Sequence, residues 1–377
     1  MSSLKENYDR LLEQSKELAV VQSAGAILQW DMETKMPPKG VELKSQQLAF
    51  LQKIAHQMLT SQEAGKVLDA IQKDSEYDSL DQVQKRNVYL ARKAYDEATK
   101  LPEELVVDIV KQQTVGVNVW KKAKAAKDWK LFMPELVKIK ELTEKKAELL
   151  MDIKGAKTPY DALIDDFEPK MTADNITRIF DGMRKGLTKV MDKVLEHQDV
   201  DTGFLTRPVP VPVQEKIGEQ MADFILYDIK SENACGRIDT TEHPFTTGYY
   251  TDVRITTNYH ENQFMSSIYS ILHEGGHGLY EQGLPMKWMY QPIGSSASYG
   301  IHESMSRFIE NLVGRSPEFW AYYLPLLKKL TGDTFKDIDR EQMLYAANYV
   351  APSKIRIEAD EVTYGMHIII RFEIERD

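Results

Sequence analysis

The pattern His-Glu-x-x-His at residues 273–277 constrains this chain more than any other feature of its sequence. Side chains four residues apart lie on one face of a helix, so a helical segment presents the imidazoles of His273 and His277 to a single metal ion. Glu274 then lies beside the metal, where its carboxylate can take a proton from an attacking water. On the order of 0.01 chance matches are expected in a chain of this composition. The motif therefore predicts a metal-dependent hydrolase of the zinc peptidase type.

The residues around the motif leave two questions open. Apolar residues at helical spacing predict that the other side of this helix is buried, and a pair of core histidines bonded to carboxylates is then the alternative to a metal site. Gly275 and Gly276 each disfavour a helix by about 1 kcal/mol relative to alanine. They indicate either the close approach of another backbone, such as a substrate strand, or tight packing between two helices.

A catalytic zinc site takes three protein ligands and leaves one position for water. The candidates for the third ligand are Glu281, His302, Glu303 and Glu310. Glu281 lies on the same helix as the histidines, and we do not expect it to turn back to the metal. Glu303 follows His277 by 26 residues, which leaves room for a loop and a second helix that crosses behind the first. Glu303 is the preferred ligand and His302 the weaker option, since a histidine there also suits the pocket behind the ligands.

Composition excludes several classes of protein. A formal net charge of −10 argues against nucleic acid as the main partner, because phosphate binding needs a basic face. The chain has a single cysteine, Cys235, so it forms no internal disulfide and needs no oxidising compartment. The N-terminus is polar, and no apolar run approaches the length that crosses a bilayer. We expect no membrane partner and a cytoplasmic location.

Periodicity predicts a mostly α fold with a small β-sheet next to the active region. The first 200 residues show helical spacing, interrupted by predicted loops at 30–40 and 158–169. Prolines at 208, 210 and 212 predict an extended break. It divides an N-terminal helical part, 1–206, from a catalytic part, 207–377, within one continuous fold. Residues 246–257, rich in Thr, Tyr, Val and Ile, carry the best strand signal.

Ordered motifs along most of the chain make it resemble the carboxypeptidase Taq family of thermostable zinc metallocarboxypeptidases. The motifs are His243-Pro244-Phe245, Asp252-Val253-Arg254-Ile255-Thr256, the His273–His277 motif, His302-Glu303-Ser304 and Ile355-Arg356-Ile357-Glu358-Ala359-Asp360. The resemblance implies a large helical gluzincin-like fold with a deep active-site groove, a homodimer, and removal of single C-terminal residues from peptides. It also supports His273, His277 and Glu303 as zinc ligands and Glu274 as the catalytic base. Co²⁺ or Mn²⁺ can replace Zn²⁺ at such ligands.

Substrate binding is expected to involve two arginines and a histidine. Arginine suits a free C-terminal carboxylate because its planar fork forms two parallel bonds. Arg254 and Arg356 are the candidates, with structural ion pairs as the alternative for each. His243 is the candidate oxyanion donor, and packing of its loop is the alternative. Asp252 and Asp360 are expected to orient the histidines or these arginines.

The chain also departs from the family pattern. Many gluzincins carry an aspartate four residues after the ligand glutamate, but Arg307 stands there, so another residue must orient a histidine. Met305 replaces a common glutamine after the His-Glu-Ser motif. Family members also continue to a Gln-Asp-x-His-Trp motif, and we expect a C-terminally truncated member.

Three functions remain open from the sequence. A metallocarboxypeptidase is preferred. An endopeptidase or a dipeptidyl carboxypeptidase would use the same zinc site. A non-catalytic helical binding protein would hold structural zinc or no metal.

Overall fold

Long helices form the first part of the chain, as the periodicity predicts. The computed structural model describes residues 3–356 and 359–377. Ser3 begins the first helix in a reciprocal capping pair with Glu6, and Asp81 begins the fourth in the same way with Gln84. The helices of this part are α1 (Leu4–Thr34), α2 (Val41–Leu59), α3 (Gln62–Gln72), α4 (Gln82–Lys100), α5 (Glu103–Ala126), α6 (Trp129–Lys154), α7 (Pro159–Ile164) and α8 (Ala173–His197).

The predicted loops are shorter in the structure than the sequence suggested. Helix α1 continues through Trp30 to Thr34, because the Trp30 side chain is buried and holds the last turn against the rest of the molecule. Residues 158–169 contain α7, since Thr158 caps it and Pro159 suits the first helical position. The extended break ends at Pro210, because α9 (Val211–Phe224) takes Pro212 into its first turn. Proline therefore begins helices here as well as interrupting them.

Three short strands form the sheet. The strands are β1 (Gly236–Thr240), β2 (Thr246–Tyr249) and β3 (Asp252–Thr257), with β3 in the middle, parallel to β1 and antiparallel to β2. The strand signal at 246–257 is thus a hairpin that turns at Tyr250, where φ is 52°. Gly248 has φ 135°, and a Cβ there would lie 2.1 Å from the Asp252 carbonyl oxygen. Strand β1 was not predicted, because Gly236 and Asp239 are of types depleted in strands and Ile238 is its only large apolar residue.

Helix α10 (Phe264–Gln282) is the central element of the second part. Ile268, Ile271 and Leu272 are fully buried in its main apolar core, as the pattern around the motif predicts. Helix α11 (Tyr299–Arg307) packs against it and continues as a π-helix, Phe308–Val313. The remaining helices are α12 (Pro317–Thr331), α13 (Arg340–Ala347) and α14 (Glu361–Arg376). The predicted class, mostly α with a small sheet beside the motif, is confirmed.

Contacts cross the predicted boundary at residue 206. The guanidinium groups of Arg237 and Arg254 lie over the Trp30 ring of α1, 4.7 and 4.3 Å from its centroid. Helix α8 packs along α14. The division into parts 1–206 and 207–377 remains a prediction. Within the described residues, no helix combines the length and apolarity that a membrane span requires.

Candidate metal centre

Three side chains that the sequence proposes as ligands converge in the structure. His273 and His277 lie one turn apart on α10, and Glu303 comes from α11. Glu303 Oε2 lies 3.2 Å from His277 Nε2 and 3.6 Å from His273 Nε2. One donor atom from each residue lies within 4.8 Å of the others. Their role as ligands remains a prediction.

The two glycines of the motif allow other elements to approach α10 closely. A Cβ on Gly276 would lie 2.7 Å from the Met305 carbonyl oxygen and the Ser306 Cα, both in α11. A Cβ on Gly275 would lie 2.2 Å from Ile225 Cδ1. Both contacts are within the chain, so the structure favours tight packing over the approach of a substrate strand. Gly276 brings Glu303 within reach of the histidines.

Glu310 holds the outer edge of His273. Its Oε2 atom lies 2.8 Å from His273 Nδ1 and also accepts a bond of 2.9 Å from Arg307. Arg315 Nη2 lies 3.3 Å from the other carboxylate oxygen. Glu310, considered above as a ligand, therefore lies behind His273. It occupies the place of a carboxylate that orients the imidazole, a role for which the residue at the usual position, Arg307, has no carboxylate. Glu310 follows Glu303 by seven residues, about two helical turns, so both carboxylates are on the same side of the helix. This spacing is the sequence signal that could have identified Glu310 as an orienting residue.

His302 and Glu281 lie behind His277 in the same sense. His302 Nδ1 lies 2.5 Å from His277 Nδ1, and His302 Nε2 lies 2.8 Å from Glu281 Oε1. Neither residue belongs to the group of three convergent donors. His302 thus lies behind the three donors, which agrees with the alternative interpretation of this histidine given in the sequence analysis.

Electrostatics favour the ionised ligand set. Burial opposes ionisation of Glu303, but the hydrogen bond with His277 and the charges of both histidines hold its pKa at about 2. Burial likewise opposes the charged form of His273, yet Glu310 and the neighbouring carboxylates raise the pKa of this imidazole. The pKa of Glu310 is lowered, because His273, Arg307 and Arg315 outweigh its burial. The site is therefore arranged for two carboxylates that stay charged.

Glu274 lies in a different environment from the other carboxylates. Its side chain is buried, and the Thr246 hydroxyl of β2 donates to its Oε2 atom at 2.6 Å. Burial raises the pKa of Glu274, and the bond from Thr246 with the charges of the two histidines only partly offsets this. Thr246 was not considered from the sequence, because its contact with α10 arises only from the position of the sheet.

Arg254 lies on the far side of the sheet from Glu274. Thr246 pairs with Ile255 across the sheet, and neighbours in a strand point to opposite faces. Arg254 therefore faces Trp30, and Asp252 accepts from its Nε and Nη2 atoms at 2.7 and 2.8 Å. Asp252 thus orients this arginine, as expected.

Arg356 is linked to the metal centre by a series of contacts. Its Nη1 atom donates to Tyr364 Oη at 2.7 Å, and Arg307 lies 4.2 Å from the centroid of the same ring. Arg307 in turn bonds to Glu310. Asp360 is the N-cap of α14, and the bonds that it accepts within the described residues come from Ala351, Val362 and Thr363 rather than from a histidine or an arginine. The Ile357 and Glu358 positions of this motif lie outside the described residues.

His243 occupies an exposed position just before β2. Phe245, two residues later, exchanges bonds with the Thr256 hydroxyl, which places this segment beside β3. The role of His243 as an oxyanion donor remains a prediction, as do the roles of the two arginines.

The residues present fit a divalent metal ion. Two imidazole nitrogens and one carboxylate oxygen converge, and the other nitrogen of each imidazole already has a hydrogen-bond partner. This donor set is the one that catalytic zinc takes from proteins, with one position left open. The same donors also accept Co²⁺ and Mn²⁺.

Comparison with known proteins gives consistent matches over nearly the whole chain. The family model described as "Carboxypeptidase Taq (M32) metallopeptidase" matches residues 10–377. The chain is 38% identical to thermostable carboxypeptidase 1 of Thermus thermophilus, over 98% of this chain and 73% of the relative. It is 33% identical to carboxypeptidase 1 of Bacillus subtilis, over 99% and 72%.

Solved structures match equally well. The M32 carboxypeptidase from Deinococcus radiodurans R1 has a TM-score of 0.92 at 35% identity, over 98% of this chain and 73% of that one. Metallocarboxypeptidase 1 of Trypanosoma cruzi has a TM-score of 0.92 at 31% identity, over 100% and 74%.

Proposed function

This chain belongs to the carboxypeptidase Taq (M32) metallopeptidase family, and we propose that it performs its chemistry at a zinc ion held by His273, His277 and Glu303. The chain is a metallocarboxypeptidase, a hydrolase that removes C-terminal amino acids from peptides. The observation that carries the proposed site is the convergence of the three donor atoms within 4.8 Å. Family membership favours this function over an endopeptidase or a structural zinc protein.

The catalytic steps follow from the position of Glu274. A bound divalent ion supplies Lewis acidity, which polarises the scissile carbonyl and lowers the pKa of water. Glu274, adjacent to His273 in sequence and bonded to Thr246, removes a proton from the attacking water and delivers it to the leaving amine. Burial raises the pKa of this carboxyl, which suits a group that must both accept and return a proton near neutral pH.

Glu274→Gln tests the proposed base. Glutamine keeps the shape of the side chain but cannot take up the proton, so we expect zinc binding to persist and kcat to fall at least 100-fold. Zinc content by metal analysis and cleavage of a peptide with a free C-terminus provide the two measurements. A variant with wild-type zinc content and wild-type rate would refute the role of Glu274. A wild-type protein that binds no zinc would refute the site.

The same peptide with an amidated C-terminus tests the direction of cleavage. A carboxypeptidase requires the free carboxylate, so the amidated peptide should remain intact over the time in which the free peptide is degraded. Release of internal fragments would instead identify an endopeptidase, and release of dipeptides a dipeptidyl carboxypeptidase.

We propose Arg356 as the main carboxylate receptor, with Arg254 as the second candidate. Arg356 is connected through Tyr364 and Arg307 to the metal centre, whereas Arg254 is already occupied by Asp252. Arg356→Lys should raise KM by about 10-fold, because lysine lacks the planar fork. Arg254→Lys should have a smaller effect on KM. The reverse order in steady-state kinetics would make Arg254 the receptor. His243 remains our candidate oxyanion donor.

We also propose that the protein is a homodimer. Helices α5 and α6 carry exposed apolar side chains, and such patches are typical of interaction surfaces. These side chains are Val107, Val110, Val117, Trp120, Trp129 and Val137. Light scattering after size-exclusion chromatography should give a mass twice that of one chain, and the mass of a single chain would refute the proposal. The cytoplasmic location expected from the sequence remains a prediction.

A further inference from the structure

We propose that Glu281 and His302 position the ligand His277, by fixing which of its ring nitrogens carries the proton, and so set the affinity of the site for metal. The inference rests on the proposed function, because it requires His277 to bind the metal through Nε2. Neither Glu281 nor His302 belongs to the three convergent donors, and both would act through His277. They are positioning residues.

The helices explain how these residues reach one imidazole. His277 and Glu281 are four residues apart on α10, so Glu281 continues the face that carries the ligands. His302 and Glu303 are consecutive on α11 and therefore point in directions about 100° apart. Glu303 reaches the Nε2 edge of His277, at 3.2 Å, and His302 reaches the Nδ1 edge, at 2.5 Å. Adjacent residues of α11 thus hold opposite edges of the same ring.

With a metal ion on Nε2 in place of the contact with Glu303, hydrogen-bond accounting would give the contact between His277 and His302 a single direction. An ionised carboxylate only accepts, so the bond between His302 Nε2 and Glu281 requires the proton on that nitrogen. A neutral His302 then has a lone pair on Nδ1 and accepts from His277 Nδ1. With its proton on Nδ1, His277 keeps the Nε2 lone pair free for metal. The opposite direction would place a proton on His277 Nε2, facing Glu303, and block the metal.

The surroundings of the hydrogen-bonded series His277–His302–Glu281 support a fixed arrangement of these side chains. The side chains of His277, His302 and Glu281 are only 16%, 21% and 19% exposed. The Tyr280 ring meets His302 edge-on, 4.9 Å between centroids. His273 differs, since Glu310 bonds directly to its Nδ1 atom. His277 is therefore the ligand whose orientation depends on two further residues.

Metal affinity is the measurement that tests this role. His302→Phe keeps an aromatic ring against Tyr280 and removes the acceptor, and Glu281→Leu removes the carboxylate. Each should weaken zinc binding by about 10–100-fold, the usual effect of losing such a partner. Dissociation constants are obtained by competition with a chelator at fixed pH. Glu281→Gln keeps an acceptor oxygen and should recover most of the affinity lost in Glu281→Leu.

A double variant distinguishes two residues that act in series on His277 from two residues that act independently. Glu281→Leu combined with His302→Phe should bind zinc no more than about 3-fold more weakly than the worse single variant, because both act through His277. Glu341→Leu, which removes an exposed carboxylate bonded to Tyr345 on α13, is the matched control and should leave the affinity unchanged. The melting temperature of the metal-free protein should be similar in all variants that act by positioning.

Two results would overturn the inference. Single variants that bind zinc as tightly as the wild type would show that His277 needs no such support. Fully multiplicative losses in the double variant would show that the two residues act separately. A wild-type protein that binds no zinc would instead refute the proposed function, so the two failures are distinguishable.

Discussion

At the scale of single residues, the site is defined by how each carboxylate is held. Glu303 and Glu310 are kept ionised by histidines and arginines, whereas Glu274 is buried with one neutral donor, Thr246. Glu303 and Glu310 therefore stay ionised, while the pKa of Glu274 is raised toward the range in which a carboxyl group exchanges protons near neutral pH. This division is the one expected if Glu303 is a ligand, Glu310 an orienting residue and Glu274 a base, as we propose.

Thr246 should tune the pH dependence of the reaction. Its hydroxyl stabilises the charged form of Glu274 and lowers the pKa of this carboxyl against the effect of burial. Thr246→Val removes the donor, so the pKa of Glu274 rises and the base is protonated at a higher pH. The acid limb of kcat/KM should therefore move upward by about one pH unit.

A matched variant controls for packing. Thr246→Ser retains the hydroxyl and loses only the methyl group, so its acid limb should coincide with that of the wild type. An unchanged acid limb in Thr246→Val would show that the base is not held by this bond.

At the scale of elements, the crossing of α10 and α11 determines whether the proposed ligands meet. Gly276 allows backbone contact between the helices, and consecutive residues of α11 then hold the His277 ring. The chain continues from α11 into a π-helix that carries Glu310. Such π segments occur frequently at functional sites, because they re-aim side chains within a continuous helix.

Gly276→Ala should separate these helices. The added methyl group meets α11 backbone at 2.7 Å, which must shift, and overpacking of this kind costs about 1–3 kcal/mol. We expect a lower urea midpoint and weaker zinc binding, because Glu303 moves away from the histidines.

Gly182→Ala in α8 is the control, since nothing lies within 4 Å of its Cβ position. It should raise stability by up to about 1 kcal/mol. Equal midpoints and zinc affinities for Gly276→Ala and the wild type would contradict the importance of the crossing.

At the scale of the whole molecule, the metal should link the site to global stability. The proposed ligands belong to α10, which lies in the main apolar core, and to the neighbouring α11. Metal that binds only the folded chain at 100 times its Kd stabilises it by about 2.7 kcal/mol. For a chain of 377 residues this corresponds to a fall in Tm of about 3 °C on chelation.

Calorimetry with and without a chelator measures this shift, and re-addition of zinc should reverse it. The variant His273→Ala/His277→Ala should show no metal-dependent change in Tm. An equal shift in that variant would place the stabilising metal elsewhere.

Short-range rules account for what could be predicted. Ser3 caps α1 as its residue type predicts. Of the four apolar residues expected on the buried side of α10, Ile268, Ile271 and Leu272 are fully buried and Leu279 is partly buried. These predictions succeed because helix caps and periodicity depend on residues within a few positions. The end of α1 and the helix α7 were missed, since burial of Trp30 and capping by Thr158 overcame the loop signals around them. Strand β1 was missed because its five residues, with Gly236 and Asp239 among them, carry a weak strand signal.

The sequence by itself determined that His273, His277 and Glu281 share a face of one helix, because the helical repeat is a local property of the backbone. It also determined that Gly276 leaves that face open to close approach. Only the tertiary structure decided that α11 meets α10 there, that Glu310 and His302 lie behind the two histidines, and that Thr246 contacts Glu274. Those contacts join elements far apart in the chain, and their geometry depends on the packing of the whole core.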